Sequence, residues 1–340
     1  MKKARENIIP VFVPHYGCPN NCVFCNQNRI SGAEEPATPD GVVQTVTEAK
    51  KLLPSDVIPQ LAFYGGSFTA IPEKDQIALL SVAKSFLDAG DISSIRLSTR
   101  PDAIDDEVIK RLKHYGVSTV EIGAQSMNDE VLKLSGRGHT AEDVVNAAEM
   151  IKESGLKLIL QMMTGLPGDS TERSLETAEK IISLSPDGVR IYPTVIVKDT
   201  MLYDNYLSGR YKEHTVEDAV ELCAKMLPLF ENAGIPVIRL GLNPTDDLSG
   251  GDAVGGAYHP ALGEMVKSRI LRNEAETLLA GIPEGCDCVL GVSSSRLSQM
   301  IGQHHCNEVY LKNLFKMHSI KIKSTDVSGD EVTIVSIDKL

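Results

Sequence analysis

The run Ile8-Ile9-Pro10-Val11-Phe12-Val13 leads into Cys18-Pro19-Asn20-Asn21-Cys22-Val23-Phe24-Cys25. A short apolar run bounded by Pro14 has the pattern of a strand buried on both faces. The cysteines just beyond its carboxyl end mark a loop that carries chemistry. Outward from this pair, strand-like runs recur at 60–64, 95–99, 119–123, 157–162, 188–192 and 236–240. Amphipathic stretches separate them, at 39–53, 74–89, 104–115, 141–154, 171–183 and 215–233. Gly116, Gly155, Pro186 and Gly234 punctuate several of the ends. This βαβα alternation dictates a parallel sheet with right-handed crossovers. About six units, fewer than a closed eight-unit barrel needs, predict a partial (β/α)6 TIM-like barrel.

In such a sheet the reacting groups gather at the carboxyl ends of the strands. Polar and glycine-rich residues recur there: the cysteine loop, then Gly65-Gly66-Ser67-Phe68-Thr69, Ser98-Thr99-Arg100-Pro101, Gly123-Ala124-Gln125-Ser126 and Gln161-Met162-Met163. The expected organisation is a barrel over 1–245, a connecting helical segment over 246–285 and a small α/β unit over 286–340. In the last, 286–292 reads as a strand, 294–301 and 307–318 as helices, and 320–323 and 331–337 as strands.

The 340 residues carry a net charge of −12, which excludes nonspecific nucleic-acid binding over the whole surface. A local basic excess remains at 296–323, where Arg296, Lys312, Lys316, Lys321 and Lys323 face the single acid Glu308. The basic N-terminus and the apolar run behind it are too short for a signal peptide core or a membrane span, so a cytoplasmic protein with no membrane partner is expected. Seven cysteines, an odd number, argue against a disulfide framework and for ligands, nucleophiles or core residues.

A loop holding three thiolates in eight residues can wrap one face of a 4Fe–4S cubane and leave its fourth iron open to a substrate. Cys18, Cys22 and Cys25 are the expected ligands. The competing readings are a zinc site completed by His15, a redox dithiol of Cys22 and Cys25, and a buried structural trio.

The loop matches the CxxxCxΦC motif and resembles the radical S-adenosylmethionine superfamily. The resemblance implies that the cofactor's amino and carboxylate groups chelate the open iron. It also implies that the reduced cluster cleaves the cofactor to methionine and a 5′-deoxyadenosyl radical, which abstracts a substrate hydrogen. Gly65 and Gly66 stand where the family's GGE segment contacts the cofactor amino group, with Ser67 in place of the Glu. Ser98 is placed for the cofactor's ribose or carboxylate, Gln125 lies in a recognisable rim segment, and Arg137 is placed to pair with the carboxylate. Read alone, these are a bland turn, a strand-end hydroxyl on backbone, and a rim salt bridge or cap.

The closer resemblance is to the radical domain of the Elongator catalytic subunit. It is carried by the cysteine loop, 64–69, 98–102, 123–140, 161–168, 191–193 and 239–242, and it covers 8–245. A more distant one is to oxygen-independent coproporphyrinogen dehydrogenase. That subunit's acetyltransferase domain has no counterpart in 245–340, so acetyl transfer is not carried over. Tyr192, Arg239 and His259 are the candidate substrate-side residues. The expected substrate is RNA. The alternatives are a small, porphyrin-like metabolite, or a noncatalytic RNA-binding accessory protein. The resemblance implies an electron donor without naming it.

Gly302-Gln303-His304-His305 joins the two C-terminal helices, and the order of elements around it resembles the core of a KH domain. Its second clamp glycine is replaced by His305. A structural cap on the barrel is the other reading. Cys286, Cys288 and Cys306 with His304 and His305 form a candidate second metal site, against a reading of small buried core residues and loop histidines.

Overall fold

The structure is a computed structural model that describes residues 7–13, 16, 18–26, 37–54, 56–245, 248–326 and 331–339. His15, the proposed fourth zinc ligand, lies outside the described residues. The chain forms two compact units, 1–215 with 229–258, and 216–228 with 259–340.

The first unit is a curled, partly closed barrel. Its strands are β1 (Ile8–Phe12), β2 (Gln60–Tyr64), β3 (Ser94–Thr99), β4 (Val117–Gln125), β5 (Lys157–Thr164), β6 (Gly188–Pro193) and β8 (Val237–Leu240). They lie side by side in chain order, and every pairing is parallel. The crossovers carry α1 (Pro39–Leu52), α2 (Glu73–Asp88), α3 (Asp106–His114), α4 (Asp129–Leu134), α5 (Ala141–Glu153) and α6 (Thr171–Ser183), followed by α7 (Met201–Leu207); α8 (Val216–Asn232) belongs to the second unit over 216–228 and to the first from 229 on. Local sequence sets the helix starts. Thr38, Asp105 and Ser170 accept hydrogen bonds from Gly41, Val108 and Arg173 backbone N–H groups, and Thr140 with Asp143 closes a capping box. Apolar residues of strands and helices, such as Leu61, Phe63, Leu97, Val120 and Ile122, meet in a fully buried layer.

β7 (Val195–Val197) pairs antiparallel with β9 (Ala253–Gly256) in a separate two-stranded sheet. Neither stands out in the pattern of apolar runs, because each is only three or four residues long.

The second unit contains α9 (Leu262–Leu279), β10 (Asp287–Val292), α10 (Leu297–Ile301), α11 (Cys306–Leu314), β11 (Ser319–Ser324) and β12 (Thr333–Asp338). β10 is central, parallel to β11 and antiparallel to β12. The observed division differs from the expected segmentation at 245 and 285. Residues 248–258 go with the barrel, while Leu271, Ala275 and Leu279 of α9 share one core with Cys286, Leu290, Met300 and Leu311. In the turn between α10 and α11, Gly302, His304 and His305 all have positive φ, at 76°, 51° and 62°. His305 thus adopts the left-handed conformation expected of a glycine at that place, at a cost of roughly 1–2 kcal/mol. Among the described residues, no helix is long and apolar enough to cross a membrane.

Phe63 is fully buried and its ring lies 4.8 Å from that of Phe68. Phe63→Ala is expected to destabilise the barrel by about 3–5 kcal/mol, read as a lower urea midpoint of the barrel transition.

Candidate active site at the carboxyl rim

The cysteine loop is fixed from several sides. The Val23 N–H donates to the Ser135 carbonyl at 3.0 Å, the Val23 carbonyl accepts from the Leu202 N–H at 2.7 Å, and Cys25 N–H turns back to the Cys22 carbonyl at 3.0 Å. Val23 is buried against Ile196, Leu202 and Tyr211, with Phe24 packed beside them. The apolar pair inside the motif is therefore an anchor; Cys22 is buried beside it, while Cys18 and Cys25 are half-buried. The segment after α4 closes the other side. A Cβ on Gly138 would lie 2.2 Å from the Asn20 side chain, and one on Gly136 would lie 3.2 Å from the Asn21 carbonyl. Both glycines also have positive φ, so this segment needs glycine twice over.

Gly66 meets the stretch before the loop in the same way. A Cβ there would lie 2.3 Å from the carbonyl oxygens of both Val13 and Tyr16. Gly65 beside it has φ of 82°. Ser67 is buried, shares a hydrogen bond with Thr99 at 2.9 Å and accepts from the Arg100 N–H at 3.2 Å. It joins β2 to β3 below the rim. The Ser98 hydroxyl donates to the Phe63 carbonyl at 3.5 Å.

β4 carries a bulge between Gly123 and Gln125. Gln125 has φ of 64°, and its Oε1 is buried without a hydrogen-bond partner. Left-handed backbone at a non-glycine residue stores roughly 1–3 kcal/mol and is typical of functional sites. Arg137 lies against this bulge: Nη2 donates to the Gly123 carbonyl at 2.8 Å, and Nη1 points to Cys22 Sγ at 3.6 Å. Its Nε is buried with no partner. The guanidinium thus joins the bulge to the cysteine loop. Burial pushes the Cys18 thiol up, while Arg137 and Arg100 pull it back. His139, also buried, holds the Ala124 carbonyl at 3.1 Å. Burial, and then the charge of Arg137, push its imidazole down to about 4.

Below the rim lies a charged network that the apolar strand pattern does not reveal. The Glu121 side chain is completely buried on β4. Its Oε1 accepts from the Tyr64 hydroxyl at 2.9 Å and meets Arg96 Nε at 3.1 Å; its Oε2 meets Arg190 Nε at 2.8 Å and accepts from Gln161 Nε2 at 3.1 Å. One carboxylate thus ties β2, β3, β5 and β6 to β4. Burial and Glu121 hold the Tyr64 hydroxyl well above its ordinary pKa. The available signal was single charges inside apolar runs, as in Ile95-Arg96-Leu97, Val120-Glu121-Ile122 and Val189-Arg190-Ile191.

The C-terminal cysteines are not gathered. Cys286 and Cys288 are buried in the core of the second unit, whereas Cys306, His304 and His305 are exposed. Among the described residues, no group of three His, Cys, Asp or Glu side chains is arranged to hold a single metal ion. That removes the second metal site, but not a cubane at the rim, whose thiolates bind separate irons.

The sequence profile of the Radical SAM superfamily matches residues 12–181, and that of the Radical SAM C-terminal domain matches 186–272. The tRNA uridine(34) acetyltransferase of Methanocaldococcus infernus is 30% identical over 256 residues, covering 63% of this chain and 48% of the relative. Human Elongator complex protein 3 is 36% identical over 138 residues, covering 40% of this chain and 25% of that protein. The chain spans about half the length of the first of these relatives, or less. Among solved structures, the archaeal Methanocaldococcus infernus Elp3 superposes with a TM-score of 0.60 at 25% identity, over 78% of this chain and 63% of that one. Coproporphyrinogen III oxidase from Escherichia coli shares the fold, with a TM-score of 0.51 at 18% identity, over 68% of this chain and 54% of that one.

Two outcomes are expected from this geometry. Glu121→Ala leaves Arg96 and Arg190 buried without their carboxylate and should cost about 3–5 kcal/mol, measurable by urea denaturation beside the milder Glu121→Gln. The His139 imidazole should titrate by NMR with a midpoint near 4. Because the unfolded chain takes up that proton more readily, stability should be full above pH 6.5 and decline as pH falls from 6.5 towards 4.

Proposed function

Because the chain belongs to the Radical SAM superfamily, we propose that Cys18, Cys22 and Cys25 hold its 4Fe–4S cluster and that the neighbouring strand ends hold S-adenosylmethionine for the modification of an RNA. When bound, the reduced cluster supplies the electron that cleaves S-adenosylmethionine to the 5′-deoxyadenosyl radical. The protein is an enzyme of that chemistry, and the following roles belong to its own residues.

The donor set fits both groups. Three thiols lie in one backbone-anchored loop beside a cation, and thiolate ligation needs no fourth protein ligand. Two buried polar atoms at the same rim, Gln125 Oε1 and Arg137 Nε, lack partners, as expected of groups that meet a ligand. Gly65 and Gly66 would present backbone to the amino group of the cofactor, Ser98 a hydroxyl to its ribose or carboxylate, and Gln125 and Arg137 their orphaned atoms to its polar groups. Arg137 also stands beside Cys22, where an N–H directed at a ligand sulfur favours the reduced cluster.

The observation that carries the reading is the cysteine loop held at the strand ends of a half-open barrel. RNA as substrate rests on the relatives, one of which is named for uridine 34 of tRNA.

Reconstitution with iron and sulfide under anaerobic conditions, followed by reduction, should yield 5′-deoxyadenosine from S-adenosylmethionine. Cys22→Ala should lose both the cluster's EPR signal and that product. A stable cubane in Cys22→Ala would overturn the ligand assignment. RNA recovered from anaerobically purified protein, or a nucleoside that disappears from tRNA when the gene is deleted, would identify the substrate class. A copurified metabolite without RNA would reject RNA.

A further inference from the structure

The seven strands of the barrel contain one carboxylate, Glu121, against three arginines, Arg96, Arg190 and Arg239. Both oxygens of Glu121 are occupied, since Oε1 also accepts from Arg190 Nη2 at 3.2 Å. Arg96 Nε also faces Glu121 at 3.1 Å, while its Nη1 donates to Gln60 Oε1 at 3.3 Å. The carboxylate therefore compensates one guanidinium, and the barrel wall keeps an excess of positive charge.

Arg239 is the partner of Arg190 across the β6–β8 register, so both project from the same face of the sheet. It is half-buried, and among the described residues its one hydrogen bond runs from Nε to the Gly241 carbonyl, two residues on, at 3.1 Å. Its terminal nitrogens have no protein acceptor among the described residues. Tyr192, two residues beyond Arg190 on the same face, completes the group. Burial pushes its hydroxyl up, and the fields of Arg190 and Arg239 pull it down. A desolvated cation without a counter-charge is costly, and a bound anion relieves that cost. A planar guanidinium with two unused nitrogens suits an oxyanion in particular.

We propose that Arg190, Arg239 and Tyr192 form an anion subsite inside the barrel that takes a phosphate or carboxylate group of the substrate. The identification of that anion as substrate rests on the radical-enzyme reading, whereas the anion affinity itself does not. Across the strand register Arg190 is level with Gly123, before Gln125, while Tyr192 is one position beyond Gln125. A substrate pinned there by its charged group is held while a hydrogen nearer the rim is presented for abstraction. Positioning by a remote charge of this kind is how binding energy orients a reacting centre.

The test is equilibrium dialysis of the reconstituted full chain, at low ionic strength, against labelled orthophosphate and, separately, labelled acetate. Iron and sulfide content are measured on the same samples. Saturable binding at one site per chain is expected, with the preferred anion naming phosphate or carboxylate. Arg239→Gln should weaken it at least tenfold and Arg239→Lys should retain most of it, with the circular dichroism spectrum unchanged in both. Excess S-adenosylmethionine should leave the anion in place. The proposal is overturned if neither anion binds saturably, if Arg239→Gln binds as the natural chain does, or if S-adenosylmethionine displaces the anion, which would give the site to the cofactor. Failure of the cluster to assemble would count against the radical reading alone, since anion binding is read independently of it.

Discussion

A single buried carboxylate holds the barrel together. Glu121 accepts from Tyr64 on β2 and Gln161 on β5 and pairs with Arg96 on β3 and Arg190 on β6, so four neighbouring strands are referred to one point on β4. Backbone ladders fix the spacing of parallel strands, but they leave the sheet free to slide in twist and curvature. A convergent set of charged bonds selects one curvature, because its members reach the same two oxygens only at one wall geometry. Removing water from these groups is expensive, and the convergence of four partners on two oxygens offsets that cost.

The rim is built by close backbone approach. Gly66 lets the end of β2 press against the Val13 and Tyr16 carbonyls, and Gly136 and Gly138 let the segment after α4 press against the cysteine loop. Gly66 and Gly136 meet main chain, and Gly138 meets the Asn20 side chain. The same segment delivers Arg137 to Cys22 and to the bulge at Gly123. Scaffold and electrostatics at the rim therefore come from one short stretch of sequence.

The alternation of apolar runs and amphipathic stretches was enough to read the seven barrel strands and six of the helices, since each is long enough to show its period. The β7–β9 pair and the short helices α4 and α7 escaped, being too brief for periodicity. At the site, cysteine spacing singled out the loop and the family resemblance singled out Gly65 and Gly66, but neither gave the reason for the glycines. Gly66 reads as a place where a ligand comes near, and in the folded chain it is already a place where the protein meets itself. Glu121 was overlooked because a lone charge in an apolar run carries no motif. Only the fold brings Arg96 and Arg190 to it from distant positions. In the C-terminal unit, Cys286 and Cys288 are packing residues, while Cys306 is exposed.

The anchoring of the cysteine loop also sets an order of events. The loop is made early, but its backbone partners are Ser135 and Leu202, which leave the ribosome much later. Until then the loop lacks those two contacts. The full set of backbone contacts around the three thiols therefore exists only in a chain folded past β6.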